Sequence, residues 1–182
     1  MKIRALEARS RLKRRHFVAS VAACGLAACL VSSCTAYSFQ TATAPAGLSM
    51  ELILTKINQV RRANRRQPLV YNAKLEQAAR RQASLMATRD ELSHNLGETL
   101  RERVRAAGYI GAVGENVAGG HPTLEAAIEG WLASPAHNRT LLSDKFTEFG
   151  LAVQHVPGGK KSRYGIYWAL IMGGDSNAWF AT

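Results

Sequence analysis

The sequence predicts an α+β domain in which a small antiparallel sheet is covered by helices. Three observations carry this expectation. Apolar residues recur at helical spacing from residue 50 to residue 132, and residues 149–172 then switch to alternation of apolar with small or polar positions. All three cysteines, Cys24, Cys29 and Cys34, precede residue 35, so no disulfide staples the rest of the chain and its core must hold it. The 182 residues, 47 % apolar and 20 % charged, give room for one globular domain with short flanks and exclude a disordered chain.

Residues 1–34 read as an export leader. Seven basic residues against Glu7 alone give this stretch +6 of the formal +11, which leaves the remainder only moderately basic at +5. A basic segment ending in Lys13-Arg14-Arg15-His16-Phe17 precedes the apolar run 17–31, too short for a permanent membrane span. Arg14-Arg15 with Phe17 fits both a twin-arginine leader and an ordinary one. The run closes on Val31-Ser32-Ser33-Cys34, a lipobox pattern that makes Cys34 the lipidated (palmitate-type) N-terminus of the mature chain. Leu26-Ala27-Ala28-Cys29 offers Cys29 as the alternative, and cleavage near residues 33–44 without lipid is a third outcome. Residues 35–48, rich in Thr, Ala, Ser and Pro, read as a flexible tether to a domain over 49–175, with 176–182 as a C-terminal tail.

Within the domain, Ser49 caps a first helix carrying Met50, Ile53, Leu54, Ile57 and Val60 on one side. Arg61, Arg62, Arg65 and Arg66 are expected on its exposed side, before Pro68 ends the run. A second helix from about Asn72 to Arg89 buries Leu75, Ala78, Ala79, Gln82, Ala83 and Met86, its alanines suiting close packing. A third spans 98–107 with Leu100, Val104 and Ala107 inward and Gly108 as its left-handed cap. Glu115-Asn116-Val117-Ala118 reads as a short extended segment closed by Gly119-Gly120. Thr123 caps a fourth helix through Leu124, Ala127, Ile128, Trp131 and Leu132, and Pro135 opens a fifth with His137 in its first turn. The alternating sets Phe149/Leu151/Val153 and Tyr164/Ile166/Trp168/Leu170/Met172, joined by Pro157-Gly158-Gly159, form a hairpin. Helices first and a hairpin last make the α+β class.

The chemistry concentrates in Ser93-His94-Asn95, Gly114-Glu115-Asn116 and Ser134-Pro135-Ala136-His137-Asn138. Two histidines and a carboxylate are the usual minimum for a three-ligand divalent-metal site with an open position, or for an acid/base pair with an orienting group. Asn116, Ser134 and Asn138 supply hydrogen bonds that support such a cavity. The separations, 21 residues from His94 to Glu115 and 22 from Glu115 to His137, are too long to force the three together, so purely structural roles stay open on spacing alone.

These pieces, in this order, resemble a known family. Ile57-Asn58 with Arg61 or Arg62, Pro68-Leu69-Val70-Tyr71-Asn72, Ser93-His94, Arg103 with Gly108-Tyr109, Gly114-Glu115-Asn116-Val117-Ala118, Trp131 with Ser134-Pro135 and His137-Asn138, and Phe146 with Gly150-Leu151-Ala152-Val153 look like the CAP superfamily. That superfamily comprises cysteine-rich secretory, antigen five and pathogenesis-related one proteins, and the chain is most similar to its bacterial single-domain branch over about residues 50–173. The resemblance implies a three-layer α-β-α sandwich around a cavity lined by His and Glu that binds Zn2+ or another divalent metal in several members. His94, Glu115 and His137 match three of the four cavity positions. The fourth, a glutamate three residues after the tryptophan, falls on Ser134, and Glu129 does not replace it.

The expectation is therefore an exported lipoprotein of the cell envelope, periplasmic or on the outer surface, joined to the membrane through its N-terminal lipid. A divalent metal on His94, His137 and Glu115 serves a lipid or cell-wall ligand. Two alternatives stay open: a metal-dependent, peptidase-like hydrolase with Glu115 as its catalytic base, and an interaction module whose cavity is vestigial. Enzymatic activity is undecided at this level. Nucleic acid is not expected, because no aromatic residues interleave the basic ones.

Overall fold

The computed structural model describes residues 48–159 and 161–179. The leader, Cys29, Cys34, the tether up to residue 47 and residues 180–182 lie outside the described residues. Five helices and four strands follow in the order α1 (Met50–Ala63), β1 (Val70–Tyr71), α2 (Ala73–Arg89), α3 (Leu100–Ala106), β2 (Ala112–Gly119), α4 (Leu124–Ala133), α5 (Pro135–Leu141), β3 (Glu148–His155) and β4 (Ile166–Gly174). The class is α+β, as the change of period predicts. Among the described residues, no helix is long and apolar enough to cross a membrane.

The sheet order is β1-β3-β4-β2. β3 and β4 form the expected antiparallel hairpin, β2 adds to β4 antiparallel, and β1 runs parallel to β3 through Val70 and Tyr71. Two residues give too little pattern to predict β1 from sequence. Both faces of the central hairpin are covered. Phe149, Leu151, Val153, Ile166, Trp168, Leu170 and Met172 pack against Ile53 and Ile57 of α1, Ile128 and Trp131 of α4 and Leu141 of α5. The intervening Ala152, Tyr167, Ala169 and Ile171 pack against Leu75, Ala79, Ala83 and Met86 of α2 and Val104 of α3. This is a three-layer sandwich, and burying each large apolar side chain in it contributes about 2 kcal/mol.

Local chemistry fixes the helix ends where the sequence indicates. Ser49, Asn72 and Thr123 accept from the first-turn amides of α1, α2 and α4. Thr99 and Glu102 form a reciprocal capping box, so the third helix starts at Leu100 and not at 98. The second alternating set also begins late: Tyr164 precedes β4 and stacks edge-on against Tyr167.

One expectation is corrected. Arg61 does not join an exposed basic face with Arg62, Arg65 and Arg66; it is fully buried. Its guanidinium donates to the carbonyls of Gln67 (2.8 Å), Leu141 (2.6 Å) and Ser143 (3.1 Å), clasping the end of α1 to the end of α5. Sequence position explains this, since Ile53, Ile57 and Arg61 lie one turn apart on the inward stripe.

Candidate functional site

β2 is an edge strand, and alternation along it sends successive side chains to opposite helix layers. Val117 enters the α2/α3 layer and Ala118 the α1/α4/α5 layer. By the same parity Glu115 meets Arg103 of α3, while Asn116 meets α5. The edge of the sheet thus collects residues from both layers.

His94 is carried by the connection between α2 and α3. Ser93 folds its hydroxyl onto the amide and carbonyl of Asn95 (both 3.1 Å), and Leu96 is buried behind. Two buried side chains hold this loop by its backbone: Gln82 donates to the Ser93 carbonyl, and Arg103 Nη1 to the carbonyls of His94 (3.2 Å) and Glu98 (2.8 Å). His94 itself is half exposed, with Nδ1 3.4 Å from Glu115 Oε1. His137 sits in the first turn of α5, whose N-terminal residue is Pro135, and Asn116 Nδ2 donates to its carbonyl (2.9 Å).

Glu115 has a partner not assigned to it from sequence. Arg103 Nη2 donates to both carboxylate oxygens, 3.0 Å to Oε1 and closer still to Oε2, with the two side chains 0 % and 2 % exposed. The carboxylate is therefore paired with a buried cation before it meets His94. A signal for Arg103 exists in the sequence, because Leu100, Arg103, Val104 and Ala107 follow the spacing of an inward stripe.

Facing a carboxylate that already accepts from Arg103, the His94 Nδ1 serves as the donor, which leaves Nε2 as the ring nitrogen that would bind a metal. The hydrogen bond to Glu115 raises the His94 imidazole above its ordinary value, against partial burial and the Arg103 charge. Burial, and then the charge on His94, lowers His137 and favours its neutral, metal-ligating form. The two imidazoles thus lie within electrostatic reach of each other.

The structure brings His94, Glu115 and His137 to one edge, with Asn116 supporting the last. Asn138 Nδ2 donates to the Leu132 carbonyl (2.9 Å), joining α5 to the end of α4, and the Ser134 hydroxyl makes no cap bond to α5. Among the described residues no three His, Cys, Asp or Glu side chains form a cage for a cation. Glu115 is taken up by Arg103 and so stands as an orienting partner to His94, which leaves the two imidazoles as the residues that would hold a divalent ion.

The cysteine-rich secretory protein (CAP) family model matches residues 54–172. No curated protein matches the chain. Among solved structures, the chain is similar to an extracellular SCP-domain protein of Bacillus anthracis, at 23 % identity and TM-score 0.59 over 69 % of this chain and 40 % of that one. It is similar also to an outer surface protein of Borrelia burgdorferi, at 21 % identity and TM-score 0.58 over 69 % of this chain and 92 % of that one. A cysteine-rich secretory protein of Staphylococcus aureus aligns at 22 % identity and TM-score 0.50 over 68 % of this chain and 37 % of that one. The chain thus spans less than half of the Bacillus and Staphylococcus proteins, and at these identities the likeness is one of fold.

Proposed function

Since this chain belongs to the cysteine-rich secretory protein (CAP) family, we propose that it is an exported envelope protein, lipid-anchored through Cys34, whose His94/His137 site binds a divalent metal in the service of a lipid or cell-wall ligand. The observation that carries the binding reading is the Arg103–Glu115 pair. A general base must present a free oxygen to the proton it takes, and both Glu115 oxygens are engaged by the buried Arg103 guanidinium. Hydrolysis with Glu115 as base is for that reason the weaker reading.

When bound, the metal would supply a Lewis-acidic centre on His94 Nε2 and His137. The chain's own residues do the rest. Glu115 fixes the His94 tautomer, Arg103 holds Glu115 together with the His94 backbone, and Asn116 fixes the His137 backbone. The exported, outward-facing character of the Bacillus and Borrelia proteins, as their names give it, supports the location.

The test is the metal content and affinity of the purified chain beside a His94→Ala/His137→Ala variant. Stoichiometric metal in the first and none in the second supports the reading. No divalent metal in either would sink it.

A further inference from the structure

The outer side of β2 carries main-chain groups that the fold leaves unused. The Gly120 amide donates to the Ile166 carbonyl (3.0 Å), so even-numbered residues of this strand turn their N–H and C=O toward β4 and odd-numbered residues turn theirs away from the sheet. Of the outward groups of Val113, Glu115, Val117 and Gly119, only the Val117 carbonyl has a partner among the described residues, Trp131 Nε1 at 3.1 Å. Before the reach of Trp131, the N–H and C=O of both Val113 and Glu115 thus stand free at the two-residue repeat of a strand. The Glu115 side chain is 2 % exposed and the whole residue 9 %, so most of the surface it keeps lies on its main chain, open to solvent.

We propose that this edge receives an extended, acidic peptide, which joins the four-stranded sheet as a fifth strand through main-chain hydrogen bonds to Val113 and Glu115. Alternating donors and acceptors at strand spacing are matched by another extended backbone. The His94 loop stands on one face of the edge, 3.4 Å from Glu115, and α5 on the other, tied to Asn116 at 2.9 Å. A single strand adds only about 5 Å to the sheet, whereas a second copy would have to bring its own His94 loop and α5 against these two. The flanking helices also set the charge. Arg101 and Arg105 of α3 and Arg139 of α5 are exposed and make no ion pair among the described residues. Glu102, the acidic residue of α3, is taken up by the Thr99 cap, and α5 carries none. The peptide contacts invoked are main-chain ones, so they stand apart from the metal proposed at His94 and His137.

The probe is an array of random heptapeptides, blocked at both ends, exposed to the fluorescently labelled full-length chain with no metal added. The expected result is retention on a subset enriched in Asp and Glu. A retained heptapeptide, remade in solution, should shift the Val113 and Glu115 amide resonances. Methylating its main-chain nitrogens at the alternate positions that face β2 should weaken binding by about tenfold or more, and at the intervening positions much less. Val113→Pro deletes one outward amide and no ladder bond, so the variant should fold and show a similar loss.

No retained heptapeptide, or one that tolerates methylation at every position, would overturn the inference. The methylation series reads the wild type alone, so it decides even where Val113→Pro does not fold. A retained set without acidic enrichment would overturn the charge preference. A wild-type dimer in sedimentation that Val113→Pro abolishes would give the edge to a second copy and overturn the peptide as its occupant.

Discussion

Arg61 and Arg103 occupy positions where the helical period calls for an apolar side chain, and each spends its guanidinium on groups the fold could not otherwise satisfy. Arg61 serves backbone carbonyls, and burial lowers its affinity for the proton without a carboxylate in hydrogen-bonding contact. Arg61→Met should leave the Leu141 and Ser143 carbonyls unpaired and cost about 3 kcal/mol, read as a lower urea midpoint at unchanged slope. Asp90 gives the pH prediction. It sits in the left-handed cap of α2 (φ 52°) and accepts from the Ser162 hydroxyl, the Arg163 amide (3.0 Å) and the Tyr167 hydroxyl (2.8 Å). These bonds, that from Ser162 foremost, hold its carboxyl below the usual range. A depressed folded-state value means stability present above about pH 4, the unfolded value, and lost as pH falls through the folded one. Asp90→Asn tolerates the same backbone, so thermal melts of the two proteins should differ at pH 7 and converge toward pH 2.

At the scale of elements, the close fit of α2 on β3 depends on one glycine. A Cβ at Gly150 would lie 1.9 Å from the Glu76 amide nitrogen and 2.4 Å from the Leu75 carbonyl carbon, both backbone atoms at the start of α2. Neither can yield without moving the helix. Gly150→Ala should cost about 3 kcal/mol or more, seen as loss of the cooperative melt or of soluble protein. The start of α3 is a milder case. Thr99→Ala removes one half of the capping box and should cost about 1 kcal/mol in urea unfolding. Because α3 carries Arg103, the same variant should speed amide exchange in the His94 loop beyond what that loss of global stability explains.

For the molecule as a whole, the proposed cation seat would couple the two helix layers across the edge strand: His94 and Glu115 belong to the α2/α3 side, His137 and Asn116 to the α4/α5 side. A ligand bridging them binds only the folded chain. Zinc at a hundredfold excess over its dissociation constant should therefore stabilise the wild type by about 2.7 kcal/mol in chemical unfolding. The His94→Ala/His137→Ala variant should gain nothing. Equal stabilisation of both proteins would place the metal elsewhere.

The α+β class, the five helices, the caps of α1 and α4 and the hairpin are legible in the sequence because they rest on local periods and on capping residues next to the segments they close. Ser49, Asn72, Thr123 and Pro135 mark helix starts by their own chemistry, and the switch from helical to alternating spacing marks the hairpin. His94, Glu115 and His137 stand out as residues, and their order carries the family, but more than twenty positions separate each from the next. Their meeting depends on β2 taking the edge of the sheet, a matter of strand order that no local pattern encodes. The same holds for β1, whose two residues pair with a strand 78 positions on, and for Arg61 and Arg103, whose burial needs acceptors from distant segments. Local pattern thus specifies the elements and marks the candidate ligands. The neutralisation of Glu115 by Arg103 is instead a product of tertiary packing, because an ion pair buried between a helix and a strand forms only where packing excludes the water that would otherwise solvate each charge.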